Sequence, residues 1–251
     1  MRMRFDKKTA IVTGGGGSIG GATAKMLAEE GCSVLVCDYD FENAAAVCNE
    51  ISKKGGVAVP MQVNVKSSVE ADAAVAKAME LWGQIDILVC SAGGSARELC
   101  APLIDQTDEV IQNMIGINLY GVIWFNRAAA REMVKRRYGK IINVASTVGT
   151  QGRKHMAEYS AAKGGVIAMT KTLAIELGKS NINVNAVSPG VVPRESGHNW
   201  NSQSVMDKTA VPEDIGGMIL YLASDAANFC TGANYLVDGG NSLGVLGISM
   251  R

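Results

Sequence analysis

The sequence predicts an α/β fold, with a single domain built on one doubly wound sheet of seven mostly parallel strands flanked by helices. Short apolar runs alternate with longer segments of helical periodicity, as in consecutive β–α–β units with right-handed crossovers. The 251 residues match one α/β domain in size, and a hydrophobic content of 47% is enough for a large core. No linker, repeat or low-complexity segment interrupts the pattern, so residues 1–251 are expected to form one unit.

The first half of the chain contains four of the predicted strands. They lie at Thr9–Thr13, at Ser33–Asp38, within 55–65 and within 84–94. The predicted helices between them span 21–30, 42–54 and 67–82, and Gly31 ends the first of these.

The second half continues the alternation. A long helical segment at 106–137 precedes a strand with the sequence INVAS, and a helix at 157–178 precedes a strand at 181–190. Residues 190–211 are polar and aromatic with weak periodicity, which favours a loop that covers a cleft. A helix at Pro212–Ala223 and a strand at 234–238 follow. The rather apolar tail, 241–251, is expected to pack on the fold itself or on a neighbouring subunit.

The composition argues against several classes of function. Basic and acidic residues number 24 each, which does not suit a nucleic-acid partner. No apolar run reaches the length of a membrane span and no signal-peptide pattern opens the chain, so a soluble, cytoplasmic protein without a membrane partner is expected. The six cysteines lack metal-ligand spacing and only two histidines are present, so free thiols and no metal site are expected.

A glycine-rich turn follows the first strand and leads directly into a helix. Gly14, Gly17, Ser18, Ile19 and Gly20 would let the backbone approach a ligand closely, while the helix N-terminus offers free N–H groups and a positive dipole to phosphate. Glycine is common in loops, but the strand before this turn and the helix after it indicate a dinucleotide site.

Asp38 ends the second strand, 18 residues after Gly20. A carboxylate there can accept hydrogen bonds from both hydroxyls of an adenosine ribose, and its charge repels a 2′-phosphate. Tyr39 follows it where a basic residue would suit NADP(H), and residues 14–24 contain no arginine or lysine, which favours NAD(H) as the cofactor. The alternative is that Asp38 only caps a strand or turn.

Several further segments lie at predicted strand ends. In a parallel sheet these ends meet at one edge, and ligands bind in the crevice outside it. Asp38 and Ser146 are therefore expected to face a common crevice. The other candidate cofactor contacts in this group are Asn64, Val65, Ser91, Ala92 and Gly93.

Tyr159 and Lys163 are four residues apart on the predicted helix at 157–178, so their side chains share one face. An ammonium at about 4 Å stabilises a phenolate by roughly 4 kcal/mol at an effective dielectric of about 20, which would let the phenol act as an acid or base near neutral pH. The pair alone is weak support, because six tyrosines yield one Tyr-x-x-x-Lys match by chance with a probability of roughly 0.3.

Asn118 lies inside the long helical segment between two apolar residues, an unfavourable position for an asparagine. Two interpretations are open. Either a neighbouring backbone group satisfies the side chain, or the side chain holds a water or a backbone carbonyl beside Tyr159 and Lys163.

Together these motifs resemble the classical short-chain dehydrogenase/reductase family over residues 9–240. The family's Tyr-x-x-x-Lys pair matches Tyr159 and Lys163, its serine lies 13 residues upstream at Ser146, and its helix asparagine matches Asn118 in NLYG. The resemblance implies a Rossmann-like fold, a nicotinamide dinucleotide cofactor and a homotetramer with one interface formed by the helical segments 106–137 and 157–178.

The same resemblance implies a role for each motif residue. Tyr159 exchanges the hydroxyl proton while hydride passes to or from the nicotinamide, and Ser146 holds the substrate oxygen. Lys163 lowers the pKa of the phenol and hydrogen-bonds the nicotinamide ribose, so Tyr159 and Lys163 also belong to the cofactor site. Asn118 supports a water that relays protons through Lys163. The expected reaction interconverts a secondary alcohol and a ketone with NAD(H).

Two departures from the family pattern concern the cofactor loops. Ser18 stands where the family's turn has a glycine. Ser91 replaces the asparagine of the Asn-Ala-Gly signature, which predicts a rearranged hydrogen bond at this point.

A third departure concerns the nicotinamide end of the site. The family's Pro-Gly pair matches Pro189 and Gly190, but Arg194 stands where the family has a threonine that contacts the nicotinamide carboxamide. The backbone at Val192 is the remaining candidate for that contact.

The substrate is open among a hydroxysteroid, a sugar or polyol, and another secondary alcohol. One alternative is a 3-oxoacyl-carrier-protein reductase, an enzyme that commonly uses NADPH, against which Asp38 argues. Another is a non-catalytic dinucleotide-binding protein, against which the complete set of motif residues argues. A sugar-nucleotide epimerase or dehydratase would need a further substrate domain. The candidate substrate contacts, each open to being an ordinary loop residue, are Ser95, Gln151, His155 one helical turn before Tyr159, His198 and Trp200.

Overall fold

Seven strands form one sheet in the computed structural model, which describes residues 4–193, 204–206 and 208–243. The strands are β1 (Thr9–Thr13), β2 (Ser33–Asp38), β3 (Val57–Gln62), β4 (Ile87–Cys90), β5 (Gly139–Val144), β6 (Ile182–Pro189) and β7 (Asn234–Val237). Their order across the sheet is β3-β2-β1-β4-β5-β6-β7, and each neighbouring pair is parallel. The predicted α/β fold with a doubly wound, Rossmann-like sheet is therefore confirmed.

Helices cover both faces of the sheet. They are α1 (Ser18–Glu29), α2 (Phe41–Lys53), α3 (Ser68–Trp82), α4 (Asp108–Ile115), α5 (Gly121–Arg136), α6 (Val148–Gln151), α7 (Ala157–Leu177) and α8 (Pro212–Ala223). One buried cluster lies between the sheet and α3, α5 and α7, and a second lies between the sheet and α1, α2 and α8. This sandwich explains why the central strands are apolar on both faces.

Strand β1 shows how the two clusters share the sheet. Ile11 belongs to the cluster under α3, α5 and α7, while its neighbours Ala10 and Val12 belong to the other cluster. Alternate residues of a strand point to opposite faces, so an apolar run without alternation is needed here. β1, β4 and β5 are buried at every residue, whereas the edge strand β3 is partly exposed.

The strand order reverses at the centre of the sheet, between β1 and β4. Thr13 is in register with Cys90, so the loops after these two strands leave the sheet at the same level. Ligands of open α/β sheets bind at such a switch point, outside the carboxyl ends of the strands.

The predicted helix at 106–137 is irregular in the structure. It begins at Asp108, where the Thr107 hydroxyl accepts a hydrogen bond from the Val110 N–H at 3.3 Å. α4 continues into α5 through a π-helical turn, Gly116–Tyr120, which contains Asn118. Such turns are frequent at functional sites. A single wide turn leaves the apolar periodicity nearly unchanged, so the sequence did not predict it.

Smaller differences occur at other element boundaries. α2 begins one residue before its predicted start, because the Asp40 carboxylate caps it by accepting from the Glu42 and Asn43 N–H groups. The prediction that His155 lies one helical turn before Tyr159 is wrong. His155 has a φ of 64°, a left-handed conformation that a helix cannot include, and α7 begins after it.

Two predicted segments are described only in part. Of the loop at 190–211 the structure describes 190–193, 204–206 and 208–211, and of the tail it describes 241–243. Arg194, His198 and Trp200 lie outside the described residues. Within the described ranges, every helix is too short or too polar to cross a bilayer.

Candidate active site

The glycine turn after β1 packs directly against the loop that follows β4. Gly14 has a φ of 63°, and a Cβ at this position would lie 2.7 Å from the Ala92 Cα. Gly20, in the first turn of α1, faces the Gly14 carbonyl so closely that an added Cβ would overlap its oxygen. The Gly17 N–H donates to the same carbonyl at 3.1 Å. The turn therefore needs glycine at positions 14 and 20, for backbone conformation and for space.

The N-terminus of α1 is open to a ligand. Gly17 occupies the cap position, and among the described residues no side chain caps the first turn, which includes Ser18 and Ile19. That turn contains no acidic residue. Side chains do cap α2, α3 and α4. The N–H groups and the positive dipole end of α1 fit the pyrophosphate of a dinucleotide.

Asp38 joins the end of β2 to the glycine turn. Its Oδ2 accepts from the Gly16 N–H at 2.9 Å, and its Oδ1 accepts from the Asp40 N–H at 3.0 Å. Asp38 therefore does cap the turn, but each carboxylate oxygen can accept a further hydrogen bond from a ribose hydroxyl. Tyr39 beside it is 72% exposed, so its ring is accessible at the same edge.

Thr13 braces the start of the loop after β4. The Thr13 carbonyl accepts from the Ser91 N–H, and the Thr13 hydroxyl accepts from the Ala92 N–H, each at 3.2 Å. A threonine at the end of a strand is an ordinary β residue, so nothing in the sequence marked this role. The backbone at 91–92 is thus hydrogen-bonded to β1, although Ser91 stands where the family has an asparagine.

Asn118 is fully buried and holds the next part of this loop. Its Nδ2 donates to the Gly94 and Met114 carbonyls, each at 3.1 Å, and its Oδ1 accepts from the Gly94 N–H at 3.0 Å. A Cβ at Gly93, whose φ is 150°, would lie 2.5 Å from the Asn118 Oδ1. These contacts are compatible with both interpretations of Asn118. Backbone groups satisfy its amide, and one of them, the Gly94 carbonyl, belongs to the loop that packs beside Lys163.

Lys163 places a buried positive charge at the centre of the site. The side chain is only 3% exposed, and its Nζ donates to the Val144 carbonyl at 2.8 Å. Burial lowers the pKa of Lys163 to about 8, against a smaller opposing effect of Cys90. Near neutral pH the ammonium form still outnumbers the amine by roughly tenfold. The Nζ lies 5.8 Å from the centre of the Tyr159 ring, so the charge can act on the phenol.

Ser146 lies in the loop that packs on the helix of Tyr159 and Lys163. Ser146 follows the end of β5, is 8% exposed, and accepts at Oγ from the Val148 N–H at 3.3 Å. α6 packs tightly on α7, since a Cβ at Gly149 would lie 2.7 Å from the Lys163 carbonyl carbon. This contact brings the Ser146 loop to the part of α7 that carries the half-buried Tyr159.

The remaining predicted cofactor residues lie at the same edge of the sheet. Asn64 and Val65 follow β3, and Pro189 is the last residue of β6. The Gly190 N–H donates to the last carbonyl of β7 at 3.1 Å, and Val192 packs on the cluster under α1 and α8.

The structure describes three of the five predicted substrate residues. Ser95 is partly buried in the loop after β4, and His155 is exposed between α6 and α7. Gln151 donates from Nε2 to the Ser242 carbonyl at 2.9 Å, which joins the end of α6 to the C-terminal segment.

Glu158, directly before Tyr159, is a feature that the sequence did not single out. It is 6% exposed, and its Oε2 is buried without a hydrogen-bond partner in the described part of the chain. An acidic residue in the first turn of a helix is ordinary, so no sequence signal marked it.

Comparisons with known proteins place this site in a family. The family model described as "Enoyl-(Acyl carrier protein) reductase" matches residues 15–242. A 3-oxoacyl-[acyl-carrier-protein] reductase from Synechocystis is 38% identical over 93% of this chain and 96% of its own length. A sorbitol dehydrogenase from Cereibacter sphaeroides is 35% identical over 95% of this chain and 99% of its own length.

Solved structures give the same result. The structure of a short-chain type dehydrogenase/reductase from Mycobacterium marinum superposes with a TM-score of 0.89 at 31% identity, covering 96% of this chain and 97% of the other. The chain therefore belongs to the short-chain dehydrogenase/reductase family of oxidoreductases, which bind a nicotinamide dinucleotide.

Proposed function

We propose that this protein transfers hydride reversibly between a nicotinamide dinucleotide and a ketone–alcohol pair, with 3-oxoacyl thioesters as its substrate class and NADH as its preferred cofactor. One observation carries the reaction type. The buried Lys163 ammonium donates to the last carbonyl of β5, two residues before Ser146, and lies 5.8 Å from the centre of the Tyr159 ring. A non-catalytic dinucleotide-binding protein would not need this set of proton-handling groups.

The substrate class rests on similarity. Two relatives at 38% and 35% identity are named 3-oxoacyl-[acyl-carrier-protein] reductases, which supports the alternative substrate above the polyols, sugars and steroids expected first. The same relatives favour NADPH, since reductases of this kind commonly use it. Asp38 supports NADH, because its carboxylate at the end of β2 would repel a 2′-phosphate.

The proposed mechanism assigns one task to each side chain. The bound nicotinamide supplies or accepts the hydride. Ser146 donates a hydrogen bond to the substrate oxygen, and the Tyr159 phenol donates a proton to that oxygen during reduction and takes one back during oxidation. The Lys163 charge stabilises the phenolate, and the Val144 carbonyl holds that charge in place.

The glycine turn, the first turn of α1 and Asp38 would hold the cofactor. The N–H groups of α1 fit its pyrophosphate, and the Asp38 carboxylate fits the hydroxyls of its adenosine ribose. The loop after β4, which Asn118 fixes through Gly94, would border the nicotinamide ribose beside Lys163.

A substrate panel tests the proposed function. The purified protein is mixed with NADH and, in separate reactions, acetoacetyl-CoA, simple ketones and ketohexoses, and the loss of nicotinamide absorbance is followed. We expect acetoacetyl-CoA to give the highest kcat/KM. Faster turnover of the sugars would move the assignment to polyol chemistry. NADH binding without turnover of any compound would favour a non-catalytic role.

The cofactor preference gives a separate prediction. Asp38→Asn removes the charge, and its single side-chain oxygen can keep only one of the two backbone hydrogen bonds. We therefore expect kcat/KM with NADH to fall about 10- to 100-fold and the preference for NADH over NADPH to narrow. Asp40→Asn is the matched control, since it removes a charge two residues away and keeps the cap of α2. A wild-type preference for NADPH would show that Asp38 does not select the cofactor.

A further inference from the structure

A cavity of about 340 Å³ adjoins the catalytic edge of the sheet. Its lining comes from five parts of the chain, and four of them are the loop after β4, the loop between α6 and α7, the segment that leads into α8, and the end of β7 with the residues after it. Val191, directly after the Pro-Gly pair at the end of β6, also lines it. The cavity therefore lies next to the residues that the proposed function places around the reacting carbon.

Three cationic side chains line this cavity, and each comes from a different segment. They are Arg97 after β4, Arg153 between α6 and α7, and Lys208 before α8. Arg153 lies seven residues after Ser146 and six before Tyr159, within the loop that joins the two.

The two arginines also act on a common neighbour. Both guanidinium groups lower the pKa of the Cys100 thiol, although burial, Glu158 and Glu98 outweigh them and raise it. Arg97 and Arg153 therefore both lie near this thiol, as do the Glu158 and Glu98 carboxylates.

The cavity also contains two carboxylates, and backbone N–H groups occupy both. Asp214 accepts from the Val211 N–H at 2.9 Å, as part of the cap of α8. Asp238 accepts from the Gly240 N–H at 2.9 Å and from the Ser242 N–H at 2.8 Å. In the described ranges, no ion pair joins Arg153 to a carboxylate. Both carboxylates keep their charge, so the three cations and two carboxylates of the lining leave a formal net charge of +1.

We propose that this cavity binds an anionic group of the substrate, a carboxylate or a phosphate, while the ketone carbonyl lies between Ser146 and Tyr159. The inference rests on the proposed function and refines its substrate class. A guanidinium presents several N–H donors in a planar fork that matches both anions, which suits Arg153 and Arg97 to this task. Lys208 adds a point charge on a long side chain.

Matched pairs of compounds test the proposal. Three oxo acids of increasing length (3-oxobutanoate, 4-oxopentanoate and 5-oxohexanoate) are each compared with their methyl esters, and dihydroxyacetone phosphate is compared with dihydroxyacetone. We expect the wild type to prefer the charged member of at least one pair by about tenfold or more in kcat/KM, mostly through KM. The preferred pair distinguishes a carboxylate from a phosphate and sets the distance between the anion and the carbonyl.

Variants identify the groups responsible. Arg153→Gln and Arg97→Gln should reduce kcat/KM for the charged compound about tenfold and leave its neutral partner within about twofold. Lys154→Gln is the matched control, because Lys154 is exposed and adjacent to Arg153 but does not line the cavity. Equal use of charged and neutral compounds by the wild type would overturn the proposal. So would an equal loss for both members of a pair in Arg153→Gln.

A binding measurement separates this proposal from the proposed function. Ligand-observed NMR titration of the same pairs, with NADH present, reports affinity without turnover. Suppose that the wild type binds the charged compound more tightly, that Arg153→Gln abolishes this preference, and that no compound is turned over. This result would uphold the anion site and contradict the proposed reaction. Turnover of ketones without charge-dependent binding would uphold the proposed reaction and contradict the anion site.

Discussion

Replacing Tyr159 by phenylalanine is expected to lower kcat at least about 10²-fold, the low end of what general acid–base catalysis contributes. The variant keeps the ring that faces the Lys163 ammonium at 5.8 Å and loses only the hydroxyl. NADH affinity should stay within about twofold of the wild type, because the glycine turn and Asp38 are unchanged. The kcat is measured with the best ketone of the panel, and the dissociation constant of NADH is measured by fluorescence titration.

Tyr138→Phe is the control for this change. Tyr138 directly precedes β5 and so lies at the opposite end of that strand from Ser146, where its hydroxyl bonds to Asp225 at 3.1 Å. Loss of the Tyr138 hydroxyl should leave kcat unchanged. A near-normal kcat in Tyr159→Phe would assign the proton transfer to another group.

The ends of strands were predictable because hydrophobic periodicity and turn-forming residues such as glycine are local properties of the sequence. β1 and β2 were predicted to the residue, and the rule that parallel strands end at one edge placed Asp38 and Ser146 on the same side. This rule and the Tyr159–Lys163 spacing predicted where a candidate site would lie, but not the roles of its residues. The family resemblance then supplied the order of the motifs.

What the sequence did not predict depends on contacts between distant segments. The two-way bonding of Asn118 to Gly94 joins residues 24 apart and needs a π turn that apolar periodicity does not reveal. The three cations of the cavity, Arg97, Arg153 and Lys208, come from three separate loops. Each loop is an ordinary polar segment when read alone. The charge of the cavity becomes visible only after folding.

The second large effect is expected for Lys163→Met, which should lower kcat by about 10² or more, because the phenolate of Tyr159 loses its stabilising charge. The substitution retains most of the volume of a side chain that is 3% exposed, so folding should be maintained. Lys171→Met, on the same helix and exposed, is the control and should leave turnover unchanged.

The same variant should also change how stability depends on pH. Burial lowers the pKa of Lys163 from its ordinary 10.5 to about 8, so between these values the unfolded chain binds more protons than the folded one. The cost of burying the ammonium is then fully present below about pH 8 and is relieved as the pH rises. The wild type should gain about 2 kcal/mol in the free energy of unfolding relative to Lys163→Met between about pH 7 and about pH 9.5.

Urea unfolding of both proteins at one protein concentration measures this difference. The buried cysteines titrate in both and largely cancel, apart from Cys90, on whose thiol Lys163 acts to lower the pKa. A difference that does not change with pH would mean that Lys163 titrates in the folded protein as it does in the unfolded chain. The ammonium beside Tyr159 would then be no more easily deprotonated than an exposed one, and the site would keep its positive charge well above pH 8. A rising difference would instead show that burying the Lys163 ammonium lowers the free energy of unfolding below about pH 8.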